Sequence, residues 1–415
     1  METTELYDHA GATATPPARI PSPREIARHI TGKEPAAGFD KLPHWESEEE
    51  RLELFGKAID EIRNRVEAQI GDEDVAYIKK VDAFSRAMEV VGRVLIHFSI
   101  EPVTFSAGVL ALAIYKILQS MEVGHTALHQ AFDGLEGAER FQSKTFKWEP
   151  PIDEEAWHKG HNVGHHQYTN IVGKDPDVRY GNVRLNPGVE WSEKNEHQIA
   201  QSLFSWVFFG TAMNLHFTGV EDLALGRTPE DSAMLKDRSE PKVRKAFKQL
   251  LRKYARHAAK EYVLFPALAG PFFWKVALGN FISSRMRDVY AAATIYCGHI
   301  GDDVADYPEG TKAKGRGQWY AMQAEAANNF EVPLPVSILC GALDYQIEHH
   351  LFPKFPTNRL REIAPEIRAV CEQYGVNYNT DTWPNTLKKA FRRLEELSHP
   401  NPEASIEIAP TREAA

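Results

Sequence analysis

HKGHNVGHH, residues 158–166, carries histidine at His158, His161, His165 and His166. On an α-helix, residues four apart share a face, with Cβ atoms about 6 Å apart. His161 and His165 so placed can grip one metal ion. His166 is one step round, free to reach a neighbouring ion. Burying clustered imidazoles without a partner is costly. Upstream, HTALH repeats the spacing with His125 and His129. Downstream, QIEHH sets Gln346, His349 and His350 at i, i+3, i+4 on one face. Imidazole suits iron, copper, zinc and nickel. A lone i, i+4 pair is more often an ordinary helix face than a ligand pair. Three boxes in one chain are not, and their histidines exceed the ligands of a single ion, so two ions are expected.

The rest of the composition narrows the class. Of 415 residues, 43% are hydrophobic and 26% charged, which fits a folded chain. The net charge of −10 argues against nucleic acid as a partner. Cys297, Cys340 and Cys371 form neither a CxxC pair nor a disulfide framework, so a reducing compartment is expected. The first residues lack the apolar core of a secretory signal peptide.

A mean hydropathy of −0.42 hides local concentration. Residues 102–119 form an apolar run of membrane-span length broken only by Lys116, and 262–282 another broken only by Lys275. Residues 199–218 hold no Asp, Glu, Lys or Arg. Hydropathy alone fits a membrane protein as well as a large helical soluble one. Lys116 and Lys275 could snorkel from span ends or sit at a core's rim. Residues 236–260 hold ten Lys or Arg against two acids, with Val243, Phe247, Leu250, Leu251 and Tyr254 on one helical face, which suits a membrane surface. Basic loops stay cytoplasmic. If 102–119 delivers residue 121 to the cytoplasm, 199–218 is expected to lie in the interface or fold back.

Residues 1–45 read as a disordered N-terminal segment. Residues 46–80 read as an N-terminal helical segment. Ser47 is its N-cap, Glu50 the capping-box partner, and Gly71 the stop. Leu52, Phe55, Ile59, Ile62 and Val66 recur at helical spacing as its packing face. Residues 376–415 read as a C-terminal helix and loose tail.

HNVGHHQYTNIVGKDPDV (161–178), GALDYQIEHHLFPKFP (341–356) and IYCGHIGDDV (295–304) together resemble the membrane fatty acid desaturase family, in the subgroup with Gln at the head of the third box. The resemblance places a desaturase domain at 81–375. It implies an all-α, multi-pass membrane fold of two transmembrane helical hairpins, with a cytoplasmic helical cap and active site. It implies two non-haem iron ions held by His125, His129, His161, His165, His166, His299, His349 and His350, with O2 as co-substrate. Gln346, His158, Asn162 and Asp175 are candidates to ligate or to orient the ligands, with Asn170, Asp177, Glu348 and Asp344 behind them. His216 is a weaker candidate ligand. Two positions depart from the family pattern. Thr126 stands where Asp is common, with Asp133 as a candidate substitute. Ile295 stands where related enzymes carry a metal-contacting Asn.

The activity so implied is desaturation of a fatty acyl chain, carried on coenzyme A or a lipid. The sequence has neither a haem-binding His-Pro-Gly-Gly nor a four-cysteine cluster site. Electrons are therefore expected from an external ferredoxin, rubredoxin or b-type cytochrome with its reductase. Acidic donors would suit 236–260. A membrane di-iron hydroxylase is the alternative. A soluble carboxylate di-iron bundle built on Glu122/His125 and Glu155/His158, and a zinc-binding membrane protein, explain fewer of the boxes.

Overall fold

The computed structural model describes residues 45–401. The segment read as disordered and the loose tail fall almost wholly outside the described residues. Helix α1, Glu48–Glu67, buries Phe55, Ile59, Ile62 and Val66 as the periodicity predicts. Ser47 Oγ accepts the Glu50 N–H at 3.2 Å. The Glu50 carboxylate takes the Glu46 N–H instead of completing the box. Gly71 does not stop α1. It opens α2, Asp72–Phe98, whose Asp74 accepts the Gly71 N–H at 3.0 Å. Helix α2 runs unbroken through residue 80.

Helix α3, Pro102–Ser120, returns antiparallel to α2. Glu101 caps it by accepting from Val103 and Thr104 N–H. The two helices touch backbone to backbone. A Cβ on Gly92 would lie 2.7 Å from Leu112 N, and one on Gly108 2.9 Å from Ile96 N. Helix α3 continues through a π-helical turn, Met121–His125, to Leu128.

The run 199–218 is split at Phe208 into α4, Gln198–Val207, and α5, Phe209–Thr218. Each has 10 residues. That length is about 15 Å, half of a bilayer core, so neither helix crosses one. Helix α6, Glu240–Ala258, leads through a π-helical turn to a reversal at Gly270, whose φ is 52°. Helix α7, Phe273–His299, returns. The apolar run 262–282 thus contains a turn and is not a single span. Neither of the lysines that break the two apolar runs snorkels. Lys116 is fully buried, 2.9 Å from Glu261, which also holds Arg93 at 2.8 Å. Lys275 donates to the carbonyls of His97 and Ser99 and closes the end of α2. A buried ion pair for Lys116 and backbone carbonyls for Lys275 replace the expected contact with water.

Helices α8 (Arg316–Glu325), α9 (Gln346–Leu351), α10 (Thr357–Tyr374) and α11 (Trp383–Ser398) follow, with shorter helices among the connections. The architecture is mostly helical, as expected, with two small sheets the sequence reading did not include. Strands β1 (Arg179–Tyr180) and β2 (Val183–Arg184) pair antiparallel. Strands β3 (Asn328–Glu331) and β4 (Asn379–Thr382) pair in parallel. Among the described residues one helix, Pro102–Leu128, is long and apolar enough to cross a membrane. Exposed large apolar side chains concentrate on α2, α3 and residues 262–289, among them Phe98, Val103, Leu110, Leu268, Phe272 and Trp274.

Candidate metal centre

Box two is not an α-helix. Residues His158–His165 are π-helical, so the side chains in register are five apart rather than four. His161 and His166 therefore approach, Nε2 to Nε2, at 3.2 Å. His161 groups with His125, His129 and His349, and His165 with His299 and His350, while His161 and His165 also come together beside Asp177, as their spacing predicts. His125 ends the π-helical turn after α3, and its Nε2 lies 3.2 Å from that of His129. The His299 Nε2 lies 3.2 Å from the Nε2 atoms of both His165 and His350. Gln346 brings its amide within 2.6 Å of the same nitrogen.

These spacings fit metal binding. Two imidazole nitrogens about 2.1 Å from one ion, at an angle near 100°, are about 3.2 Å apart. On His165 and His350 the other ring nitrogen is held by an acceptor, which aims Nε2 inward. His165 Nδ1 donates to Asp175 at 3.0 Å, and His350 Nδ1 to Gln323 Oε1 at 3.0 Å. Thr169 Oγ1 donates to the same Gln323 oxygen. His349 Nε2 is buried with no hydrogen-bond partner, a cost that a bound ion would remove.

Electrostatics favour the same reading. Burial holds His129, His166, His349 and His350 well below the ordinary imidazole range, so they are neutral with a lone pair free. Burial would lower His165 as well, but the Asp175 carboxylate outweighs it and raises it. Burial would raise Asp177, yet His161 and His216 hold it below the ordinary carboxylate range.

The remaining candidates separate. Asp175 sits where expected and is itself fixed by the N–H groups of Asn170 and Asp177. Asn162 donates to the Leu128 carbonyl and so ties box two to box one without touching a ring nitrogen. Asn170 donates to the Ala305 carbonyl. His158 is half-buried against Gln130 and outside both histidine groups. His216 pairs with Asp177 and Glu221 rather than with a metal group. Asp133 is exposed and caps Ser143, so it supplies no carboxylate. Glu348 binds Asn329 and Tyr378 from behind α9, and burial pushes it up to about 7. The carboxylates of the bundle alternative face away. Glu122 pairs with Arg361, and Glu155 is exposed beside Lys245. Gln323, Asn329 and Tyr378 were not anticipated, since no local pattern links them to the boxes.

A cavity of about 130 Å³ reaches the rings of His125, His161, His165 and His299. The rest of its lining is mostly apolar, including Ile152, Phe209, Met213, Ala291 and Ile295. A model of the fatty acid desaturase family matches residues 102–382, spanning all three boxes. The chain belongs to the fatty acid desaturase family.

The desaturase is 32% identical over 355 residues to an NADPH-dependent stearoyl-CoA 9-desaturase of Mycobacterium tuberculosis, covering 84% of this chain and 81% of that one. It is 27% identical over 248 residues to an acyl-lipid (8-3)-desaturase of Physcomitrium patens, covering 58% and 50%. It is 24% identical over 252 residues to an sn-1 linoleoyl-lipid 6-desaturase of Arthrospira platensis, covering 60% and 65%. The desaturase is thus an oxidoreductase of fatty acyl chains, and the hydroxylase alternative is not favoured.

Proposed function

We propose that the desaturase inserts a double bond into a long acyl chain lying in the cavity, using O2 and two electrons from an external donor. His125, His129, His161, His166 and His349 hold one iron. His165, His299 and His350, with Gln346 beside them, hold the other. The convergence of Nε2 atoms at 3.2 Å on the wall of an apolar cavity carries this reading.

Bound iron supplies the redox chemistry that lets O2 accept two hydrogens from adjacent methylenes, leaving an alkene and, with two electrons and two protons, two waters. The chain's own residues do the positioning. Ile295, Ala291 and Met213 exclude water and present one C–C bond to the histidines. Asp175 and Gln323 keep His165 and His350 protonated on Nδ1, which leaves Nε2 free.

The name of the mycobacterial relative supports an acyl-CoA substrate and an NADPH-fed reductase as the electron source. The donor is a ferredoxin, rubredoxin or b-type cytochrome with that reductase. The pair α2/α3 and the segment 262–289, which reverses at Gly270, are the membrane hairpins. Their exposed apolar side chains face lipid, and the basic α6 lies on the cytoplasmic side with the active site.

The test is expression with a reductase system, followed by mass spectrometry of total fatty acids and metal analysis of the purified chain. A new alkene absent from His165→Ala/His166→Ala, with about two irons per chain, is expected. A hydroxylated product, or zinc with no O2 consumption, would overturn the proposal.

A further inference from the structure

A second cavity, about 230 Å³, lies beside the first. Trp148 and Pro150 line both. Trp148 is held in place. Trp148 Nε1 donates to the Ser120 carbonyl at 2.9 Å, its ring meets Trp157 at 5.1 Å, and Trp157 stacks on His161 at 4.6 Å.

The linings are opposite in kind. The first cavity is mostly apolar, and the second presents Lys147, Arg256 and Lys260. Its two carboxylates are committed to groups deeper in the protein. Glu149 pairs with Arg287, and Glu261 with Lys116 and Arg93. Lys260 is shared with Glu89 at 3.2 Å. Lys147 and Arg256 are exposed cations with no carboxylate in ion-pair distance among the described residues. The second cavity therefore has a positive excess that the fold itself does not neutralise.

We propose that this second cavity seats the phosphate of the acyl carrier's head group while the acyl chain passes Trp148 into the first. The proposal rests on the reading that the first cavity takes the chain. Phosphate oxygens are the acceptors that guanidinium and ammonium groups bind best, and an arginine can do so through two parallel bonds. Two carriers bring this chemistry: coenzyme A and a phosphoglyceride. Anchoring the head would also set how far the chain reaches past the histidines, and hence which bond is presented.

The iron-loaded full chain in detergent is titrated with stearoyl-CoA, with 1-stearoyl-lysophosphatidylglycerol and with uncharged methyl stearate. The variant is Lys147→Glu/Arg256→Glu, checked by melting temperature and iron content. Loss of two charge-assisted contacts should weaken the phosphate-bearing ligand about tenfold or more, and leave methyl stearate unchanged. Lys147→Gln/Arg256→Gln should show a smaller loss of the same sign. A loss confined to stearoyl-CoA names coenzyme A as the carrier, and one confined to the lysolipid names a phosphoglyceride. If the parent binds all three ligands and the variant binds them equally well, the head-group site is overturned while the acyl cavity stands. If the parent does not bind methyl stearate, the acyl-cavity reading fails, and this proposal with it.

Discussion

His161 and His166 are five residues apart, and their Nε2 atoms lie 3.2 Å from each other. The π-helical backbone from His158 to His165 makes this possible. In an α-helix the same residues would point about 140° apart. π-Helical turns are rare and concentrate at functional sites, and this chain also has one that ends on His125.

Deleting Val163, which is 42% exposed in that segment, should return it to α-helical register. The expected result is retained helicity by circular dichroism, with iron content falling by about half or more as the first histidine group loses its geometry. Full iron occupancy in the deletion variant would show that the π-helical register is not required.

Asp175→Asn keeps the side chain's shape but removes the charge that holds His165 Nδ1–H. Metal affinity should drop about 10- to 100-fold, read by competition with a chromophoric chelator. An unchanged affinity would reduce Asp175 to a turn residue serving Asn170 and Asp177.

Lys116, fully buried, and Glu261 join α3 to the π-helical turn after α6. Lys116→Met should cost about 3 kcal/mol, because it leaves buried carboxylate charge only partly matched by Arg93. Lys116→Met/Glu261→Leu should recover most of that, since Arg93 keeps Glu89 at 3.1 Å. Thermal unfolding in detergent reads both. A double variant no better than the single would mean the cost is steric rather than electrostatic.

His216 is buried between Asp177 and Glu221. Burial would lower it, but the two carboxylates raise it to about 10 from an ordinary value of 6.5. A raised folded value means its stabilisation is full below pH 6.5 and disappears as pH climbs through about 10. The parent should therefore be more stable than His216→Gln at pH 6, with the gap closing towards pH 10. A gap that is constant with pH would place the effect in packing against Phe217.

Ala291 lines the cavity and is buried. Ala291→Phe should cut turnover of an eighteen-carbon chain about tenfold, at unchanged iron content, and spare shorter chains. Equal loss at every chain length would argue that the cavity narrows elsewhere.

The sequence by itself determined the ligand chemistry. HTALH, HNVGHH and QIEHH place a surplus of neutral nitrogen donors at short spacings, and imidazole chemistry alone points to metal. It also determined α1, because Phe55, Ile59, Ile62 and Val66 recur at the helical period and bury as one face. The tertiary structure decided which histidines from different boxes lie side by side. Spacing assumes α-helical geometry, and the π-helical turns change the register by one residue. It decided the break at Phe208 and the reversal at Gly270, which composition conceals because turn and span are equally apolar there. It also decided who orients the ligands. Gln323 reaches His350, and Asn329 reaches Glu348, from α8 and β3. Such contacts depend on packing between elements far apart in the chain, and a hydrogen bond formed in three dimensions leaves no periodic trace in one.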